Sequence, residues 1–160
     1  MADITIRDAT PDDAAIIADF NTRMARETEG RPLSPELINA GVAAVLDDPA
    51  KGRYWVAEID GEVVGQLLVT FEWSDWRNGV FWWIQSVYVH ADHRRAGVFS
   101  VLYRHVESLA RKSEGNCGLR LYVEQHNRRA QDTYRALGMT APGYLVMEVD
   151  FRRGRRHDDR

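Results

Sequence analysis

The sequence lacks several features that define specialised protein classes. It has one cysteine, Cys117, in 160 residues, which excludes a disulfide framework and a cysteine-based metal cluster. Its formal net charge of -3 gives no general attraction to nucleic acid or to an anionic membrane. No apolar run approaches the roughly 20 residues that cross a bilayer, and acids stand where a secretory signal would be basic. The five histidines show no metal-ligand spacing. We therefore expect a cytoplasmic protein that binds no metal, membrane or nucleic acid.

The chain length fits one domain with a hydrophobic core of its own, which we place at residues 1–151. The remaining residues, 152–160, read RRGRRHDDR and show no periodicity, so we expect a frayed polar tail. Binding of nucleic acid by this arginine-rich tail is an alternative that rests on its charge alone.

Hydrophobic periodicity and turn signals predict the order β-α-α-β-β-β-α-β-α-β. Thr10-Pro11 and Ser34-Pro35 are typical helix starts, and Asp60-Gly61 is typical of a two-residue hairpin turn. The predicted strands are 4–6, 54–59, 62–73, 81–89, 118–123 and 144–151, and the predicted helices are 11–26, 35–46, 98–109 and 128–137. This is an α/β fold with a mixed sheet.

The strongest chemical signal is the basic turn that separates the strand at 81–89 from the next helix. A helix that begins there presents unpaired N–H groups and the positive end of its dipole. Gly97 allows a ligand to approach the backbone, and Arg94 and Arg95 add bidentate donors suited to phosphate. The pattern predicts a pyrophosphate site at residues 94–99. A basic surface turn in front of a core helix is the alternative.

Two motifs, in order, extend this interpretation. The first is Arg94-Arg95-Ala96-Gly97-Val98-Phe99, and the second consists of Asn127, Ala130, Tyr134, Leu137 and Gly138. Together with the order of elements they resemble the GNAT superfamily of acyl-CoA-dependent N-acetyltransferases, whose signature is Q/R-x-x-G-x-G/A. The chain departs from that signature at Phe99, where the family has Gly or Ala. The resemblance covers residues 4–151. It implies a mostly antiparallel central sheet flanked by helices, with the fourth and fifth strands splayed apart.

The resemblance also implies acetyl-CoA as the acyl donor. The amides of residues 95–99 would hold the pyrophosphate, residues 87–89 would offer main-chain groups to the pantetheine arm, and an amide near Val87 would polarise the thioester carbonyl. The implied cofactor-binding residues are Val87, Tyr88, Val89, Arg94, Arg95, Ala96, Gly97, Val98, Phe99, Asn127, Ala130 and Tyr134.

Tyr134 occupies the family position of the general acid that protonates the leaving thiolate. Packing in a core with Ala130 and Leu137 is the alternative role. The stretch around Gln85 resembles the spermidine/spermine branch, which has a glutamate at that position. Since glutamine can orient a water but cannot accept a proton, Glu72 is the first candidate base.

Other acids and aromatic residues are candidates for contact with the acceptor. Glu27 and Glu29, predicted in a loop between the first two helices, are further candidate bases, although each acid is more often plain surface charge. Trp73, Asp75 and Trp76, predicted in a turn, suit a cationic substrate through cation–π contact.

Alternation along the strand at 81–89 predicts two faces. Trp83, Gln85, Val87 and Val89 would share one face, and Trp82, Ile84, Ser86 and Tyr88 the other.

The sequence therefore predicts direct acetyl transfer from acetyl-CoA to a primary amine, either a small cation or an amino-acid derivative. Two rivals stay open: acetylation of a lysine or N-terminus on a protein, and a non-catalytic acyl-CoA-binding regulatory module. The acyl group could be larger than acetyl, and the family resemblance together with the apolar later strands suggests a homodimer.

Overall fold

The computed structural model describes residues 3–152. The strands are β1 Ile4–Asp8, β2 Arg53–Ile59, β3 Glu62–Ser74, β4 Gly79–Val89 and β5 Asn116–Leu121, and the helices are α1 Ala14–Glu29, α2 Pro35–Asp47, α3 Val98–Lys112 and α4 Arg128–Ala136. They fall into two compact units, one ending at Tyr122 and the other beginning at Val123. A single domain over residues 1–151 stays a prediction, and residues 153–160 of the predicted tail lie outside the described residues. No helix between residues 3 and 152 is long and apolar enough to cross a membrane.

The first unit is built on one five-stranded sheet in the order β1-β2-β3-β4-β5. The first four strands pair antiparallel, and β5 pairs parallel to β4. The predicted hairpin is confirmed: Asp60 and Gly61 both have positive φ angles, 52° and 79°, as a tight two-residue turn requires. The predicted mixed, mostly antiparallel sheet is therefore confirmed.

Strand β4 runs further than its pairing with β5. The ladder between them extends from Val80–Asn116 to Ile84–Leu121, and β4 then continues alone on that side to Val89. The predicted splay of the fourth and fifth strands is confirmed. It exposes an edge of β4 from Gln85 to Val89, which we call the open β4 edge.

The start of α1 is fixed by a charged cap. Asp13 Oδ2 accepts a hydrogen bond from Thr10 N at 2.7 Å, and Arg7 donates to the two carboxylate oxygens at 2.8 and 2.9 Å. The hydrogen bond from Arg7 is the main reason that the pKa of Asp13 lies below its usual range. The cap therefore ties β1 to the first helical turn.

The predicted faces of β4 are wrong at its end, because the strand carries a β-bulge. Leu68 pairs with Ser86 and Val69 pairs with Ile84, so Gln85 is an extra residue on β4. The bulge moves Ser86 and Tyr88 away from the face of Trp82 and Ile84.

The two faces of the sheet are covered by different helices. Helices α1 and α2 pack on one face through a core of Ile17, Ala18, Val42, Tyr54 and Val56. On the other face, a Cβ atom added at Gly65 would lie 3.2 Å from Val98 and 3.4 Å from Leu102 of α3. We call the first the α1 face and the second the α3 face.

Helix α1 is longer than predicted. It ends at Glu29, with Gly30 in a left-handed conformation at φ 61°, so Glu27 and Glu29 lie in its last turn rather than in a loop. The charged run Glu-Thr-Glu hid this turn, because it has no apolar periodicity.

The second unit contains α4, whose start at Asn127 and stop before Gly138 are confirmed. The predicted last strand at 144–151 is wrong, since residues 144–150 have no regular structure. A strand needs a neighbour for its main-chain groups, and no described residue pairs with this segment. Its apolar side chains are exposed, Met147 at 93%.

Candidate functional site

The turn before α3 has the backbone of an anion site. Arg95 and Gly97 both adopt positive φ angles, 66° and 84°. The first main-chain bond of the helix runs from Val101 N to Gly97 O at 3.1 Å, so the amides ahead of Val101 are those that a helix N-terminus presents to an anion. A Cβ added at Gly97 would meet nothing within 4 Å, which leaves the approach to these amides open.

A cavity of about 370 Å³ lies against this turn. It is lined by Val89, His93, Arg94, Arg95, Gly97, Val98, Phe99 and Ser100. The turn and the end of β4 therefore share one concave surface.

The two arginines of the turn have different surroundings. The Arg94 side chain points back to β4 and α1: its Nε donates to Val89 O at 3.0 Å and its Nη2 to Glu27 Oε2 at 2.6 Å. The guanidinium of Arg95 makes no hydrogen bond or ion pair with another described residue. Arg95 is the free cation of this pair within the described part of the chain.

Phe99 departs from the family signature and lines the cavity at the turn. Its ring also contacts that of the buried Tyr103 one helical turn later, with centroids 6.2 Å apart.

Main-chain groups of β4 face the open β4 edge. His90 N donates to Val64 O at 2.8 Å, which directs His90 towards β3. Because main-chain groups alternate along a strand, those of Val87 and Val89 point the other way. The carbonyl of Val89 accepts a hydrogen bond from the Arg94 side chain. The amide of Val87 lies on the edge that β5 leaves unpaired.

Glu27 joins α1 to β4 and to the basic turn. Its carboxylate accepts from the Tyr88 hydroxyl at 2.9 Å and from Arg94, and the hydrogen bond from Arg94 is the main cause of a lowered pKa of Glu27. Burial, with the bond to Glu27, raises the pKa of Tyr88. A carboxylate with a lowered pKa is a weak proton acceptor, so Glu27 is better suited to hold Arg94 than to act as a base.

A polar patch lies on the α1 face of β3, β4 and β5, beyond the part that the helices cover. Gln85 Nε2 donates to Thr70 Oγ1 at 2.8 Å, and Arg120 Nη1 donates to Glu72 Oε1 at 2.6 Å. We call Thr70, Glu72, Gln85 and Arg120 the sheet patch. It brings together the two residues predicted for proton transfer, Glu72 and Gln85.

Two members of the sheet patch, Thr70 and Arg120, were not predicted. Thr70 could have been found, because it precedes Glu72 by one strand repeat. Arg120 is a single charge inside the apolar strand LRLYV, a signal that sequence reasoning overlooked.

The other acceptor-contact candidates lie elsewhere. Trp73 lies near the end of β3, inside the predicted strand 62–73, and as the neighbour of Glu72 it points to the α3 face. Trp73 is 65% and Trp76 88% exposed, and Asp75 Oδ1 accepts from Trp76 N. Glu29 lies 3.8 Å from Arg31 at the end of α1. The structure does not bring Trp73 onto the face of the sheet patch.

In the second unit, the predicted residues share α4. Asn127 Oδ1 accepts from Ala130 N at 3.1 Å, so this side chain serves as the helix cap. Tyr134 follows Ala130 by four residues and lies on the same side of the helix. Burial raises the pKa of Tyr134, which keeps its hydroxyl protonated at neutral pH. No group of three or more His, Cys, Asp or Glu within residues 3–152 is placed to hold a metal ion.

The family that matches this chain and two similar proteins are acetyltransferases. The family described as acetyltransferase (GNAT) family matches residues 15–139. Thialysine N-epsilon-acetyltransferase of Bos taurus is 33% identical over 150 residues, covering 86% of this chain and 85% of its own. A possible acetyltransferase from Clostridium difficile 630 is 45% identical, with a TM-score of 0.88 over 92% of this chain and 97% of its own.

A more distant structure shares the fold alone. It is an aminoglycoside N-acetyltransferase in complex with CoA, 14% identical, with a TM-score of 0.76 over 94% of this chain and 97% of its own.

Proposed function

Because the chain belongs to the acetyltransferase (GNAT) family, we propose that it transfers the acetyl group of acetyl-CoA directly to a primary amine of a small cationic or amino-acid-like acceptor. The bovine relative, named for thialysine and its epsilon nitrogen, supports an amine of this kind. A cytoplasmic location and a homodimer stay predictions.

The observation that carries this proposal is the open β4 edge and its continuation into the glycine turn. An extended pantetheine arm can pair with such an edge as an added strand does, through main-chain hydrogen bonds. The pyrophosphate would then meet the amides of residues 95–99, in front of α3. Arg95 would supply charge, while Arg94 would shape the turn through Val89 and Glu27.

In the proposed reaction, the amine nitrogen attacks the thioester carbonyl carbon and the C–S bond breaks. The amide of Val87, on the open β4 edge, would donate to the carbonyl oxygen as negative charge develops. The leaving thiolate would take its proton from the hydroxyl of Tyr134, and the second proton of the amine, released as the amide forms, would restore that hydroxyl. Holding both substrates together supplies part of the rate.

The acceptor amine must lose a proton before it attacks. We propose that Gln85, fixed by Thr70, holds a water that carries this proton to Glu72. Glu72 is 42% exposed, so water has access to it. We also propose that the acyl-CoA cleft is lined by Asn127 and Ala130. Contact with the acceptor stays a prediction for Trp73, Asp75, Trp76 and Glu29.

Two measurements test the proposal. Calorimetric titration with acetyl-CoA should give saturable binding, and release of free thiol should depend on an added amine, with an acetylated product detected by mass. Arg53→Gln, on β2, is a matched control that should change neither.

Each alternative has its own result. Saturable binding without amine-dependent thiol release from any amine or peptide would favour the acyl-CoA-binding module. Activity on peptides but not on small amines would favour a protein acetyltransferase. Absence of binding in a folded protein would refute the proposal.

A further inference from the structure

Arg120 is a charged residue on the sheet patch to which no role has been given. It lies on β5 opposite Trp83, and its side chain is 27% exposed. Nη1 donates to Glu72, and the guanidinium carbon lies 3.8 Å from the centroid of the Phe81 ring. No other described residue accepts a hydrogen bond from its remaining nitrogens, Nε and Nη2.

We propose that Arg120 binds a carboxylate of the acceptor, and that the acceptor is therefore an amino acid or short peptide that reacts through a side-chain amine. This inference rests on the proposed function and names the class of acceptor for that site.

The surroundings of the Arg120 guanidinium suit a carboxylate as its ligand. Stacking on Phe81 fixes the plane of the guanidinium, and a planar fork of N–H donors matches the two oxygens of a carboxylate. Glu72, on the other side, disfavours a ligand that carries only negative charge. A molecule that carries both a carboxylate and an amine can place the first on Arg120 and offer the second for acetylation.

The position of Arg120 along β4 sets the length of the acceptor. Arg120 pairs with Trp83, and the amide proposed to receive the thioester carbonyl is that of Val87. The partners of Trp83 and Val87 on β3, Thr70 and Leu67, are three residues apart, which corresponds to about 10 Å at about 3.3 Å per residue. The reacting amine and the carboxylate must be separated by roughly this distance, which a lysine-like side chain reaches and an α-amine does not.

The test compares amines that differ only in a carboxylate. We would measure kcat/KM for lysine against 1,5-diaminopentane, and for 6-aminohexanoate against pentylamine. In Arg120→Gln, the preference for the carboxylate-bearing member should fall at least about tenfold, the effect of one charged hydrogen bond. Because Arg120 also pairs with Glu72, the proposed base, the readout is the ratio of kcat/KM within each pair of amines and not the rate for either amine alone. Arg120→Lys should recover part of the preference.

Arg53→Gln is a matched control, because Arg53 also stacks on an aromatic ring, that of Trp55 at 4.6 Å, and pairs with a carboxylate, that of Asp8 at 2.7 Å. It should leave the preference unchanged. Melting temperatures show whether each variant is folded.

A wild type that prefers 1,5-diaminopentane, or a preference that survives in Arg120→Gln, overturns the inference while the proposed function stands. If no amine is acetylated, the proposed function fails, and calorimetric titration with lysine and 6-aminohexanoate decides the inference separately. Binding that is lost in Arg120→Gln but kept in Arg53→Gln supports it. No binding to the wild type overturns it.

Discussion

The two adjacent arginines of the basic turn should contribute differently to acetyl-CoA binding. Arg94 is held by Val89 O and Glu27, whereas the Arg95 guanidinium makes no hydrogen bond, ion pair or ring contact with another described residue. We predict that Arg95→Gln weakens acetyl-CoA binding and that Arg94→Gln mainly weakens the fold. Sequence alone would treat the two as equivalent.

The expected changes in Kd and in the free energy of unfolding follow from the solvent exposure of the two arginine side chains. One charged hydrogen bond to a phosphate at an exposed site is worth about 1–2 kcal/mol, so the Kd of Arg95→Gln should rise roughly 5- to 30-fold. The Arg94–Glu27 pair is 45% and 42% exposed, and pairs of this kind contribute about 0–1 kcal/mol to the free energy of unfolding. Arg94→Gln should lower stability by at most about 1 kcal/mol and change Kd by less than about threefold.

The assay is calorimetric titration of both variants with acetyl-CoA at low and high salt, beside urea unfolding. Salt screens exposed charges, so the difference between wild type and Arg95→Gln should shrink as salt increases. Glutamine bears the same left-handed strain at position 95 as arginine, so the turn itself is unchanged. A larger loss of affinity in Arg94→Gln than in Arg95→Gln would refute the reasoning.

Three further predictions concern catalysis and stability. Tyr134→Phe should lower kcat by about 10²–10⁴-fold, measured by thiol release, and leave the affinity for acetyl-CoA, measured by calorimetry, unchanged. An unchanged kcat would contradict the role of Tyr134 as general acid. Asp13→Asn should cost about 2 kcal/mol in urea unfolding at neutral pH. Because Arg7 lowers the pKa of Asp13, this stabilisation exists above the usual carboxyl pKa and disappears as pH falls through the folded value, so a pH-independent difference would contradict it. Phe99→Ala should lose about 1 kcal/mol through its contact with Tyr103 and leave acetyl-CoA binding within threefold, whereas a large change in Kd would place the ring over the turn.

Local signals in the sequence predicted the elements that local chemistry determines. Thr10 and Pro11 mark the 3₁₀ turn Pro11–Asp13 that leads into α1, and Ser34 and Pro35 mark the start of α2. Asp60-Gly61 marks the hairpin, and Asn127 caps α4. Each of these depends on neighbouring residues only, so the pattern and the structure agree.

Features that depend on pairing partners could not be read in this way. Residues 144–151 alternate as a strand does, but alternation says nothing about whether a neighbouring strand is present. The end of α1 was missed for a related reason, because Glu27 is held by Tyr88 and Arg94, which are distant in sequence.

The candidate site was predicted where a motif is contiguous and missed where it spans strands. The turn at residues 94–99 is one segment, and its left-handed residues lie at Arg95 and Gly97. The sheet patch is assembled from three strands, and only the register places Arg120 beside Glu72. Sequence reasoning found its acid and its glutamine but not the residues that hold them.

The bulge at Gln85 connects these parts of the site. Without the extra residue, Tyr88 would lie on the α3 face with Trp82 and Ile84, and Glu27 would lose a hydrogen-bond donor. With it, the side chains of Gln85 and Tyr88 both lie on the α1 face. The amide of Val87 meanwhile points to the open β4 edge. One inserted residue thus places the side chains proposed to face the acceptor and the amide proposed to hold the thioester within a few residues of each other. The bulge lies where β5 leaves β4, which is where the proposed substrates would meet.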